Sequence, residues 1–262
     1  MIGWRICIVA VKMAGKKTVK KDSALSRVLA QRTGDWLQAH VDQYLEDKWE
    51  FRADPGWFHP SALGNPCDAA LAFAFMGTKA KGTPSAAGTK RMDNGTSRHE
   101  DISRYLVESG ASLFKHWGGS PEERELAWKE RSFEIPSVKV RGTCDDLVVN
   151  PLTKEKYVFE FKTMNPDEWE ALTAPKTDHI LQLHPYMFGF GALQGQITYE
   201  NKGNQKWKNY PVRFDAALWH STEQRLLNIM EQIERRKLPW RTPQLYESQC
   251  FFFHLCGGFE FP

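Results

Sequence analysis

The segment KYVFEFK, residues 156–162, constrains the fold most strongly, because its side chains alternate with the period of a β-strand. Tyr157, Phe159 and Phe161 make one face of this strand aromatic, as expected of a face that packs in a core. The opposite face carries Glu160 and Lys162, which would lie roughly 6–7 Å apart along the strand. An acid and a base side by side on such a strand indicate either an ordinary ion pair on a solvated face or a functional site.

Strand-like and helix-like patterns alternate around this segment. Such an order predicts an α/β (α+β) fold, in which a mixed central β-sheet is flanked by helices. We predict strands at 125–135, 138–149, 156–162 and in a hairpin over 196–214, and helices at 23–47, 68–75, 93–108, 166–172, 178–193 and 221–237.

The length of 262 residues suits a single domain over 23–262, preceded by a basic tail over 1–22 that we expect to be disordered. Residues 76–91 are rich in Gly, Lys, Ser, Thr and Ala, which predicts a flexible linker.

The net charge of +3 neither requires nor excludes a nucleic-acid partner. No apolar run is long enough to cross a bilayer. Five cysteines without an export signal favour a reducing compartment, the cytoplasm.

Two further carboxylates follow an apolar strand just before KYVFEFK. Asp145 and Asp146 come shortly after Gly142, and an antiparallel return of the chain would bring one of them next to Glu160. Two carboxylates and the main-chain carbonyl of Phe161 would form an oxygen-rich pocket suited to Mg²⁺ or Mn²⁺. Lys162 would then orient or deprotonate an attacking water, or balance charge on a phosphate.

Five short motifs occur in a characteristic order along the chain: PSALGNPC, GTSRH, GTCD, EFK and QLHPY. Over about residues 58–256 this series resembles the RecB-like branch of the PD-(D/E)XK nucleases, which includes phage exonucleases and CRISPR-adaptation nucleases. The resemblance implies a restriction-endonuclease-like sheet and a divalent-metal-dependent DNA exonuclease that leaves 5′-phosphates. A structure-specific endonuclease and a non-catalytic nuclease-fold module that binds DNA or protein stay open as alternatives.

The resemblance also implies a role for individual residues. The metal ligands would be His99, Asp145, Glu160 and the Phe161 carbonyl, and the catalytic group would comprise Lys162 with Asp145, Glu160, Gln182 and Tyr186. His99 has a plainer interpretation as a core histidine, and strict strand alternation would favour Asp146 over Asp145. Pro185, inside the motif that contains Gln182 and Tyr186, departs from the family pattern and is expected to bend its helix.

Some members of this branch hold a [4Fe–4S] cluster with one upstream and three C-terminal cysteines. Cys67, Cys250 and Cys256 match three of these positions, while Glu247 stands where the fourth cysteine belongs. Alternatives are a zinc site that uses His254 and a set of ordinary buried thiols.

The resemblance further implies DNA ends or single strands as the substrate, and it is compatible with a homo-oligomer or a recombination or replication partner protein. Candidate DNA contacts include Arg98, Arg141 and the basic hairpin that contains Trp207. The 76–91 segment is either a lid over the DNA or an insertion without contact to it.

Overall fold

The computed structural model describes residues 36–49, 54–79, 84–113, 131–241, 250, 252–256 and 261. The predicted tail 1–22, the first part of the predicted helix 23–47 and Glu247 lie outside the described residues. No helix within the described ranges is both long and apolar enough to span a membrane.

A four-stranded mixed sheet forms the centre of the fold, as predicted. Its strands stand in the order β3 (Asp146–Val149), β4 (Lys156–Met164), β5 (Gln194–Asn201) and β6 (Trp207–Arg213). β4 pairs with β5 in parallel, whereas the β3–β4 and β5–β6 pairs are antiparallel. β4 is therefore an interior strand, and KYVFEFK forms most of it.

A separate two-stranded ribbon precedes this sheet, in which β1 (Ser132–Ile135) pairs antiparallel with β2 (Val140–Thr143). The single strand predicted over 138–149 is wrong, because the chain leaves the ribbon after Thr143 and enters the main sheet at Asp146. Of the strand predicted over 125–135, residues 125–130 lie outside the described residues.

Helices cover both faces of the sheet. On one face, Ile102 packs with Phe159 and Phe161 of β4; on the other, Leu183 and Met187 belong to the main core around the sheet. The helices are α1 (Trp36–Asp47), α2 (Asp68–Phe75), α3 (Ala86–Glu108), α4 (Pro166–Ala171), α5 (Thr177–Gly189) and α6 (Ala216–Glu234).

Two helices begin earlier than predicted. α3 begins at Ala86 because the Ser85 side chain accepts a hydrogen bond from the Gly88 N–H, so the predicted linker 76–91 is wrong from residue 86 onward. α6 begins at Ala216 because Asp215 caps it in the same way. α5 contains Pro185 within its length, and the bend expected there stays a prediction.

Candidate active site

The candidate site lies where the chain passes from β2 to β3 beside the middle of β4. Asp146 stands opposite Phe159 in the antiparallel register, so Asp145 comes next to Glu160 and Phe161. The Phe161 N–H donates a hydrogen bond of 2.6 Å to Oδ2 of Asp145. Gly142 permits this path, because a Cβ there would lie 2.9 Å from Cδ of Pro60 and 3.7 Å from the Tyr186 ring.

His99 reaches the same point from α3. Its Nδ1 lies 3.3 Å from Oδ2 of Asp145, and its ring stands edge-on to Phe161 with centroids 5.2 Å apart. Ile102, one turn later, packs on Phe159 and Phe161 and holds this part of α3 against the sheet. His99 is therefore buried, as a core histidine would be, but it is buried against a carboxylate.

Glu160 and Lys162 point to the opposite side, toward α5. Nζ of Lys162 lies 2.7 Å from Oε1 of Glu160 and donates a hydrogen bond of 2.9 Å to Oε1 of Gln182. Nε2 of Gln182 in turn donates to Oε1 of Glu160 at 2.7 Å and to the Tyr186 hydroxyl at 3.2 Å. Gln182 and Tyr186 are one turn apart on α5, so one helix face completes the network.

Burial and neighbouring charges shift the pKa values of Glu160 and Asp145 in opposite directions. Burial, followed by the charge of Asp145, raises the pKa of Glu160 to about 7. Burial also acts to raise the pKa of Asp145, but His99, Lys162 and the Phe161 N–H together bring it below its usual value. The pair thus contains one firmly ionised acid and one that titrates near neutral pH.

Two carboxylate oxygens in this pocket are buried without a hydrogen-bond partner: Oδ1 of Asp145 and Oε2 of Glu160. Unpartnered buried oxygens are costly unless a ligand binds them. Among the residues that the structure describes, no three His, Cys, Asp or Glu side chains are already arranged as ligands of one metal ion.

Asp146 occupies a separate environment, although it is adjacent to Asp145 in the chain. The Ser112 hydroxyl donates to its Oδ1 at 2.8 Å, and Nη2 of Arg131 lies 3.5 Å from its Oδ2. Burial raises the pKa of Asp146 to about 6. The structure therefore brings Asp145, and not Asp146, together with His99 and Glu160, while the catalytic roles themselves stay predictions.

A second buried acid beside this pocket was missed by sequence reasoning. Glu200, at the end of β5, binds Arg98 through two hydrogen bonds of 2.7 Å and accepts a third from the Trp207 indole at 2.8 Å. Arg98, a candidate DNA contact, thus forms an ion pair with Glu200. Arg141, another candidate, forms an ion pair with Asp54. The available signal was weak: Glu200 ends the strand-like QITYE segment, in which Ile197 and Tyr199 alternate with polar residues.

The predicted cysteine ligands lie partly within the described chain. Cys67 is buried just before α2, and Cys250 and Cys256 pack against the same small apolar cluster. Burial, together with the neighbouring Cys67 and Cys256, raises the pKa of the Cys250 thiol. The structure places these three cysteines at one apolar cluster, whereas Glu247 lies outside the described residues.

Comparison with solved structures found likenesses at low sequence identity. An alkaline exonuclease from Laribacter hongkongensis is 17% identical at a TM-score of 0.47, covering 69% of this chain and 89% of that one. The same enzyme in complex with dAMP is 15% identical at 0.46 over the same shares. The protein SSO0001 is 15% identical at 0.47, covering 84% of this chain and 96% of that one. No protein-family model and no curated protein matches the sequence.

Proposed function

We propose that this chain is a divalent-metal-dependent DNA nuclease that works as an exonuclease on DNA ends or single strands and leaves 5′-phosphates. One observation supports this most strongly. Asp145 and Glu160 each keep one buried oxygen without a partner, and Glu160 is paired with Lys162. Buried oxygens without partners lower the stability of the folded protein, and this arrangement suits a site that binds a cation and a phosphodiester.

The residues present fit a hard divalent cation. Oδ1 of Asp145 and Oε2 of Glu160 would bind it, joined by His99 and the Phe161 carbonyl, and the imidazole would favour Mn²⁺ over an all-oxygen site. When bound, the cation lowers the pKa of a ligated water and stabilises negative charge on the phosphate.

Lys162 is the proton-handling group of the proposed reaction. Gln182 accepts one of its hydrogen bonds and thereby fixes the ammonium next to Glu160, where it orients the attacking water and balances charge on phosphorus. The water oxygen bonds to phosphorus and gives up a proton, the bond from phosphorus to the 3′ oxygen breaks, and that oxygen takes up a proton, so the products are a 3′-hydroxyl and a 5′-phosphate. The Tyr186 hydroxyl accepts a hydrogen bond from Nε2 of Gln182 and so helps to hold that amide in place.

We further propose that Cys67, Cys250 and Cys256 bind a [4Fe–4S] cluster that joins the C-terminal segment to α2. The support is the convergence of the three thiols on one apolar cluster. Iron and zinc analysis with a visible absorption spectrum tests it: iron with cluster absorption supports the proposal, whereas zinc alone, or neither metal, contradicts it. Reduced thiols fit a cytoplasmic protein.

The function is tested with end-labelled linear single-stranded and duplex DNA and a covalently closed circle, each with Mg²⁺, Mn²⁺ or EDTA. The wild type is compared with Lys162→Ala, and Lys156→Ala is the matched control because it removes an exposed lysine from the same strand. We expect metal-dependent loss of linear DNA, abolished by Lys162→Ala and retained in Lys156→Ala. Cleavage of the circle would establish an endonuclease instead. DNA binding without any cleavage would establish the non-catalytic module.

A further inference from the structure

Trp207, the first residue of β6, is an exposed aromatic side chain next to the candidate site. It is 41% exposed, and its ring centroid lies 6.2 Å from that of Phe161. The Phe161 ring also stands edge-on to His99, so the indole lies on the side of the sheet from which His99 reaches Asp145.

The indole is held in place by a buried anchor. Its Nε1 donates to Oε2 of Glu200, and Arg98 binds both oxygens of that carboxylate. Because the N–H is already used, the exposed part of the ring offers an apolar π surface and no hydrogen bond. A fixed aromatic surface without a free donor suits stacking on another flat ring.

Gly95 provides room on the facing helix. It lies one turn before His99 on the side of α3 that continues through Ile102 to the sheet. A Cβ at Gly95 would nevertheless meet nothing within 4 Å. Glycine inside a helix is less stable than alanine, and no neighbour within the described chain demands it here. The clearance therefore leaves room for a strand to pass over this part of α3.

We propose that an unpaired nucleobase of the substrate strand stacks on Trp207 while the sugar–phosphate backbone passes over Gly95. The inference rests on the proposed function and narrows its substrate to single-stranded DNA or a frayed end. Bases inside a duplex already stack on their neighbours, so their faces are not available to the indole. Lys202 and Lys206 of the same hairpin are exposed and supply positive charge for the phosphates.

The test compares binding of two oligonucleotides with the same backbone, oligo-dT and an abasic strand, in EDTA so that no cleavage occurs. Trp207→Leu is expected to weaken binding of oligo-dT by about 10- to 100-fold and to leave the abasic strand nearly unchanged. Trp207→Phe is expected to restore most of the loss. Trp240→Leu, which removes another exposed indole, is the matched control and leaves both affinities unchanged.

Gly95→Ala supplies a second test that does not disturb the anchor. We expect it to raise the melting temperature and still weaken oligo-dT binding several-fold, because the new methyl group occupies the proposed path. Equal weakening of both oligonucleotides by Trp207→Leu, or no weakening, would overturn the inference even if wild-type protein degrades DNA. Failure of the wild type to bind either strand would overturn the inference, and absence of metal-dependent cleavage would overturn the proposed function separately.

Discussion

Two buried carboxylate–cation pairs lie on neighbouring strands and differ in how completely they are satisfied. Both oxygens of Glu200 on β5 are occupied, by the guanidinium of Arg98 and the indole of Trp207. Glu160 on β4 binds Lys162 and Gln182 through Oε1 alone, and its Oε2 is buried without a partner. The two carboxylates are similarly buried, with side chains 3% exposed for Glu200 and 2% for Glu160.

The difference separates a structural ion pair from a candidate binding site. A buried charge pair stabilises a protein only when its remaining hydrogen-bonding capacity is filled. The Glu200 pair meets that condition and fastens α3 to the sheet. The Glu160 pair leaves capacity unfilled, so it costs stability until something else binds there. Removing the Glu160 pair should therefore lower activity without lowering stability. Breaking the Glu200 pair should instead lower stability.

The largest effect is expected from neutralising the Glu160 pair. The double variant Glu160→Gln, Lys162→Met should lose nuclease activity by about 10³-fold, because the acid and the base are both removed. Its unfolding free energy should stay the same or rise by about 1–3 kcal/mol, since two buried charges disappear. Single-turnover DNA degradation and urea unfolding measure the two quantities. A variant that unfolds more easily than wild type would contradict our interpretation of this pair.

Glu200→Gln should show the opposite behaviour. It leaves Arg98 partly buried without its counter-ion, so we expect a loss of about 2–3 kcal/mol and a melting temperature lower by roughly 5–10 °C. Arg104→Met is the control, since Arg104 pairs with Asp101 at the surface and its removal should not change the melting temperature measurably. An unchanged melting temperature in Glu200→Gln would show that this pair is not structural.

The pKa of His179 depends on the charge of Lys162. Burial, then the Lys162 ammonium, lower the pKa of His179 to about 4, from an ordinary 6.5. Between about pH 4 and pH 6.5 His179 is protonated in the unfolded chain and neutral in the folded protein. Its contribution to stability is therefore present above pH 6.5 and is lost as the pH falls to about 4. His179→Gln should abolish about 2 kcal/mol of this pH dependence, measured by urea unfolding at pH 7 and pH 4.5.

The same histidine also distinguishes the two pairs. Lys162→Met removes a neighbouring positive charge, so the pKa of His179 should rise, as followed by an NMR titration of its ring. Arg98→Met, which alters the other pair, should leave that titration unchanged. A His179 titration insensitive to Lys162→Met would mean that the two groups are not electrostatically coupled.

The smallest effect is expected at the edge of the Glu160 network. Tyr186→Phe removes a hydroxyl that accepts only a 3.2 Å hydrogen bond from Gln182, so we expect a loss of about 1 kcal/mol and an activity change of a few-fold. Tyr157→Phe removes a hydroxyl near the start of β4 that bonds only the exposed Glu155 side chain, so it should change neither. A loss of activity in Tyr186→Phe as large as that of the double variant would give Tyr186 a direct catalytic role.

The sequence was informative where side-chain alternation extends along a whole element. The period of KYVFEFK predicted β4 and the shared side of Glu160 and Lys162, and the mixed sheet followed from the order of elements. Alternation failed at Cys144 and Asp145, where the chain leaves one sheet and enters another, because a break between two sheets has no local signature. It therefore favoured Asp146, which the structure places with Ser112 and Arg131.

Tertiary contacts account for other differences. Residues 86–92 are rich in small and polar side chains, and they are helical because Thr89 is buried and Lys90 pairs with Asp42 of α1. The binding of Arg98 to Glu200 joins residues about a hundred positions apart, so nothing local indicated that this arginine is occupied. The metal ligands, the catalytic roles and the cluster ligands stay predictions that the experiments above address.

The parallel pairing of β4 with β5 has a consequence for how the protein folds. Parallel neighbours need a crossover connection, and here it consists of α4 and α5, which carry Gln182 and Tyr186. Before that crossover packs, Lys162 has no Gln182 to bind, and Glu160 is not yet enclosed. We therefore expect chains in which α4 and α5 have not yet packed on the sheet to lack a complete candidate site.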